Sequence, residues 1–157
     1  MHTILDIERL ASGEELITMR TRASIGVLPE LMTQAIPQTY AALVMEQYEK
    51  AARAAFRDDA DSVVDRCREA ASAALNAILS LDLNAEKAKD LGALANAFDK
   101  AERQVIGNSA RILARLHARA KTTERQNNDT RPLTEGDAES ALALLGIIYR
   151  ELHWTYA

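Results

Sequence analysis

The run Asp58–Leu81 constrains the fold more than any other stretch. Val63, Val64, Cys67, Ala71, Ala74, Leu75, Ile78 and Leu79 recur at three- and four-residue steps, the period of one helix face. No proline or glycine interrupts them. Asp58, Asp59 and Asp61 put negative charge where a helix would begin, and Ser62 and Asp65 have the spacing of a capping box. The pattern predicts a helix ending near Leu81–Asp82. Its buried face is rich in alanine, the best helix former and a side chain small enough to let neighbouring helices approach closely.

Apolar periodicity continues along the chain. Ile4, Ile7, Leu10, Ala11, Leu16 and Ile17 suggest an amphipathic helix within Met1–Arg22, weakened at Ser12–Gly13. Thr21–Leu28 reads as a connector, followed by a short helix over Pro29–Ala35. Pro37 then starts a new helix that runs to Phe56 with Tyr40, Leu43, Val44, Tyr48, Ala51, Ala52 and Ala55 on its apolar face. Asn84 is a suitable N-cap for the next helix, which buries Leu91, Leu94, Ala95 and Phe98. Gly107 predicts a bend or restart. Gln126–Leu133 reads as a loop. Thr134 and Asp137 show capping-box spacing ahead of a last helix to about His153, with Ala141, Leu142, Leu145, Ile148 and Leu152 buried.

The expected fold is therefore all-α: an up-and-down bundle of four to five long helices with shorter N-terminal helices. It forms a single domain, with residues 1–37 as an N-terminal helical segment and 38–157 as the bundle. A length of 157 residues suffices to bury a core without disulfides. The apolar fraction of 48% argues against a disordered chain. With six glycines and three prolines, long helices are permitted.

Net charge is −4, which excludes a surface that binds nucleic acid indiscriminately. The charge is uneven, however: Asp58–Asp65 is acidic and Arg103–Arg125 is basic, a pattern that suits one defined anionic ligand. The lone Cys67 sits in apolar spacing and reads as a small core residue. No charged-then-apolar leader opens the chain and no run approaches ~18 apolar residues, so a soluble, cytoplasmic protein without membrane contact is expected. His2, His117 and His153 are scattered and there is no second cysteine, so no metal site or other cofactor is expected.

Chemistry converges on Ile106–Arg125, which carries four arginines, Lys121 and His117. Arg111 and His117 are separated by five residues. An imidazole transfers protons near neutral pH, and a guanidinium fork can hold a phosphate. Together they would suffice for RNA cleavage without metal, with the 2′-OH as nucleophile.

An arginine a few residues before a histidine, late in a small helical bundle, resembles the motif of the HEPN superfamily. The acid-led helix DADSVVDRCREAASAALNAIL, followed by a second long helix, is similar to the helices before that motif in abortive-infection C-terminal domains. The resemblance covers roughly Asp58–Leu152. It implies a homodimer in which the arginine and histidine of both subunits line one cleft and cleave single-stranded RNA without metal, in phage defence or a toxin-like role, with Arg111 as phosphate clamp and His117 as proton-transfer group. Asn108, Arg115 and Arg119 would position the RNA backbone.

Helix geometry supports a second reading. Six residues on a continuous helix turn about 600°, so Arg111 and His117 point about 120° apart. Arg111, Arg115 and Arg119 share one face with Asn108, while His117 follows the apolar row of Ala110 and Leu113. On this reading the chain is a non-catalytic interaction or dimerisation module. His117 is then buried, and the arginines meet carboxylates such as Asp65 or Glu69. The aromatic end, Tyr149, His153, Trp154 and Tyr156, is expected to pack back on the bundle rather than stack bases. A small-ligand-binding bundle, marked by an enclosed apolar pocket, is the third possibility.

Overall fold

The computed structural model describes residues 2–21, 28–81 and 90–156. The described part of the bundle has helices α1 (Gln38–Arg57), α2 (Ala60–Leu81), α3 (Leu91–Lys100), α4 (Gln104–Ala120), α5 (Thr122–Asn128) and α6 (Glu135–Glu151). Among the described residues the fold is all-α apart from one hairpin. Helix α2 is the centre: α1, α3, α4 and α6 all pack against it. Cys67, Ala70, Ala71, Ala74, Leu75 and Ala77 are fully buried there. The short side chains let four neighbours surround one helix. As the apolar spacing suggested, Cys67 is a core residue, and burial pushes its thiol up to about 12.

The two-residue link Asp58–Asp59 folds α1 and α2 back on each other. The cap of α2 differs from the expected Ser62–Asp65 box. Asp59 Oδ1 accepts from the Ser62 N–H at 2.8 Å, while Asp65 pairs with Arg68. Asp90 caps α3 by accepting from the Ala93 N–H at 2.8 Å; Asn84 lies outside the described residues. The Thr134–Asp137 capping box is present as expected. There Asp137 is also held bidentately by Arg131, at 2.5 and 2.9 Å. The guanidinium drives the Asp137 carboxyl far below its ordinary range. The expected loop at Gln126 begins three residues later, because α5 continues to Asn128 before Asp129 turns left-handed with φ 48°.

The N-terminal helix expected within 1–22 is instead an antiparallel hairpin of β1 (His2–Arg9) and β2 (Glu15–Thr21). The turn carries the reason. Gly13 adopts φ +88° and donates to Leu10 O at 2.9 Å, and Leu10 N donates to Glu14 O at 2.8 Å. A tight reversal with a positive-φ glycine suits a hairpin and not a helix interior. The apolar spacing misled because of an irregularity: the register slips between Ile4 and Asp6. One extra residue in β1 puts Ile4 and Ile7 on the same face, three apart, which imitates a helical step.

The short helix expected at Pro29–Ala35 shrinks to a 3-10 turn at Thr33–Ala35. Its preceding backbone is used elsewhere. Met32 N donates to Trp154 O at 2.7 Å, Tyr156 N donates to Glu30 O at 3.3 Å, and Leu31 bridges Thr155. Extended pairing with the C-terminal tail therefore replaces helix. The aromatic end packs inward only in part: whereas His153 is exposed, Tyr149 and Trp154 are buried. Their rings meet edge-on at 5.9 Å, and Tyr48 contacts Tyr149 at 5.2 Å. Tyr156 remains exposed.

Candidate functional site on helix α4

Helix α4 runs unbroken through Gly107, contrary to the expected bend. The chain turns earlier, at Ala101–Arg103, where Glu102 takes φ 61°. Gly107 has a packing role. A Cβ there would stand 2.1 Å from Asp99 Oδ1 and 2.9 Å from Ala95 O, both on α3. The missing side chain lets α3 and α4 approach closely.

That approach decides the position of Arg111. Its Nη2 forms an ion pair with Asp99 Oδ2 and donates to Asn96 Oδ1 at 3.1 Å. Its Nη1 donates to Asn108 Oδ1 at 3.0 Å. The guanidinium is held by three side chains, two of them on α3. Asn108, expected to position a nucleic-acid backbone, is an Arg111 partner. Asp99 and Asn96 escaped the sequence reading because nothing in linear spacing marks a partner 12 or 15 residues away on another helix.

His117 lies on a different side of α4, against α2. Its Nδ1 is 3.4 Å from Asp65 Oδ1, and the side chain is 22% exposed. The atoms are close but not aligned as a hydrogen bond, so the buried Nδ1 has no partner among the described residues. Burial holds the imidazole below its ordinary pKa, and Arg68 and Lys121 add to this; Asp65 and Glu69 oppose it. Asp65 also accepts from Arg68 Nε and Nη2 at 3.1 and 3.0 Å. Glu69 pairs with Arg66 at 2.8 Å and lies 3.6 Å from Arg68. These carboxylates serve arginines of their own helix rather than those of α4.

Arg111 and His117 thus do not come together within one protomer. Helical geometry separates them by about 120° and roughly 9 Å along the axis, and their contacts lie on α3 and α2 respectively. Arg115 and Arg119 are in a different situation. They line an open cleft of about 300 Å³ with Ala118, Glu124, Asn128 and Thr130. Neither has an ion-pair or hydrogen-bond partner among the described residues. A second cleft of about 190 Å³, lined by Lys50, Arg53, Arg57, Arg66, Ala54 and Asp58, was not anticipated. Three of its four cations are already paired, with Glu46, Glu49 and Glu69.

Among the described residues no helix is long and apolar enough to cross a membrane. No protein-family model, curated protein or solved structure matches the chain.

Proposed function

We propose that the chain is a non-catalytic helical interaction module. One observation carries this reading: Arg111 is bound by Asp99, Asn96 and Asn108, away from the side of α4 that holds His117. The metal-independent endoribonuclease implied by the HEPN resemblance needs a guanidinium and an imidazole over one phosphate. In a single protomer the guanidinium is neutralised and the imidazole faces a carboxylate–arginine cluster. The test is incubation of the purified chain with a panel of single-stranded RNAs in the presence of a chelator. The RNAs are expected to stay intact. Cleavage that Arg111→Ala and His117→Ala each abolish would overturn the reading.

A second reading, an RNA-binding protein without cleavage, is favoured by the unneutralised Arg115 and Arg119 and their cleft. Binding of this kind weakens with salt as counterions are released. If it holds, the Arg115→Ala/Arg119→Ala double variant loses affinity across all sequences, and its log–log salt slope flattens by roughly 0.7 per phosphate contact removed. Filter binding at several salt concentrations measures both. No retention of RNA at low salt removes this reading.

A further inference from the structure

Among the described residues the hairpin pairs with no third strand, and two strands alone are marginally stable in water. Its register sorts the side chains. Ile7 stands opposite Ile17, and Arg9 opposite Glu15; Ile4 stands opposite Met19, two residues from Ile17. Ile4, Ile7, Ile17, Arg9 and Glu15 therefore share one face, with Asp6, Glu8, Leu16 and Thr18 on the other, where Leu16 is a lone apolar side chain among these polar ones. The first face is open: Ile4 is 53% exposed, Ile7 56% and Ile17 47%. Clustered apolar side chains at that exposure mark a contact surface.

We infer that this face binds a second copy of the same chain, the two hairpins stacking as a two-layer sandwich. The inference names the partner of the interaction module proposed above and rests on that reading. The face is complementary to itself. Consider a two-fold axis parallel to the strands and midway between the layers. It sets β1 of one copy over β2 of the other, because cross-strand neighbours exchange places under the rotation. Ile7 then lies over Ile17 of the second copy, and Arg9 over Glu15 of the second copy. Both contacts occur twice. The apolar centre is covered, and each charge at its edge meets the opposite sign. A partner of one charge sign would leave either Arg9 or Glu15 facing its like.

Sedimentation equilibrium and light scattering test this over a wide concentration range. The wild type is expected to rise from 17.3 kDa toward twice that mass. Ile7→Glu is expected to remain a monomer with an unchanged helical spectrum. Arg9→Glu and Glu15→Arg each leave one charge sign on the face, so neither self-associates, yet mixed together they form a one-to-one dimer. That rescue separates contact between copies from damage within one hairpin. A wild type that is monomeric at every concentration overturns the inference, as does a dimer indifferent to Ile7→Glu or a mixture that stays monomeric. None of these outcomes bears on RNA cleavage, so the two readings fail separately.

Discussion

Gly107→Ala is the substitution on which the packing of α3 against α4 turns. In an ordinary exposed helix interior this change stabilises by roughly 1 kcal/mol, since alanine has the higher helix propensity. Here the added Cβ would lie 2.1 Å from Asp99 Oδ1 and 2.9 Å from the backbone oxygen of Ala95. The blocking oxygen belongs to the carboxylate whose Oδ2 pairs with Arg111, so turning it aside strains that ion pair. The backbone oxygen can move only if α3 shifts. Overpacking of this kind costs about 1–3 kcal/mol, and losing the ion pair adds up to about 1 kcal/mol. Set against the propensity gain, these costs leave net destabilisation of up to about 3 kcal/mol, centred on about 1.5 kcal/mol. Urea unfolding followed by circular dichroism measures it. Thermal melting should fall by roughly 2–4 °C per kcal/mol for a chain of this length. An unchanged or raised midpoint would refute the close-approach argument.

Other outcomes follow from the same structure. Tyr149→Ala removes a fully buried ring between Tyr48 and Trp154 and should cost about 3–5 kcal/mol in urea; a cost below about 1 kcal/mol would contradict the packing. Thr134→Ala breaks the α6 capping box and should cost about 1 kcal/mol by the same assay, with no loss counting against it. The His117 pKa is lowered in the folded state, so the unfolded chain binds that proton more readily. Its contribution is intact above the ordinary histidine pKa and is lost as pH falls below it. The wild type should therefore lose more stability than His117→Gln between neutral and mildly acidic pH, and equal pH profiles would show that the imidazole is not so held.

The helical scaffold was legible where one face alternates with solvent. In α1, α2 and α6 the apolar period is uninterrupted, and the elements lie where it places them. The hairpin was hidden by a single extra residue near Ile4, which turned a two-residue alternation into a three-residue step. The segment after Pro29 has helix-compatible residues, but its backbone is taken by Trp154 and Tyr156, partners more than a hundred positions away. Gly107 was conspicuous in sequence and open to misreading, because a glycine that lets helices touch looks the same as one that bends them. For the candidate site, the residue types on α4 were visible and their partners were not. The 120° separation of Arg111 and His117 followed from spacing alone; Asp99 as the group that holds Arg111 required the fold.

Arg111 fastens α4 to α3 through its ion pair with Asp99. A double-mutant cycle on stability, with Arg111→Ala, Asp99→Ala and both, tests it most directly. Both side chains are 31% exposed, so solvent screening limits the expected coupling to about 1 kcal/mol. A coupling of that size is the predicted result. Additivity within about 0.3 kcal/mol would mean that the guanidinium is not committed to the carboxylate, and would return Arg111 to the pool of groups able to meet a ligand.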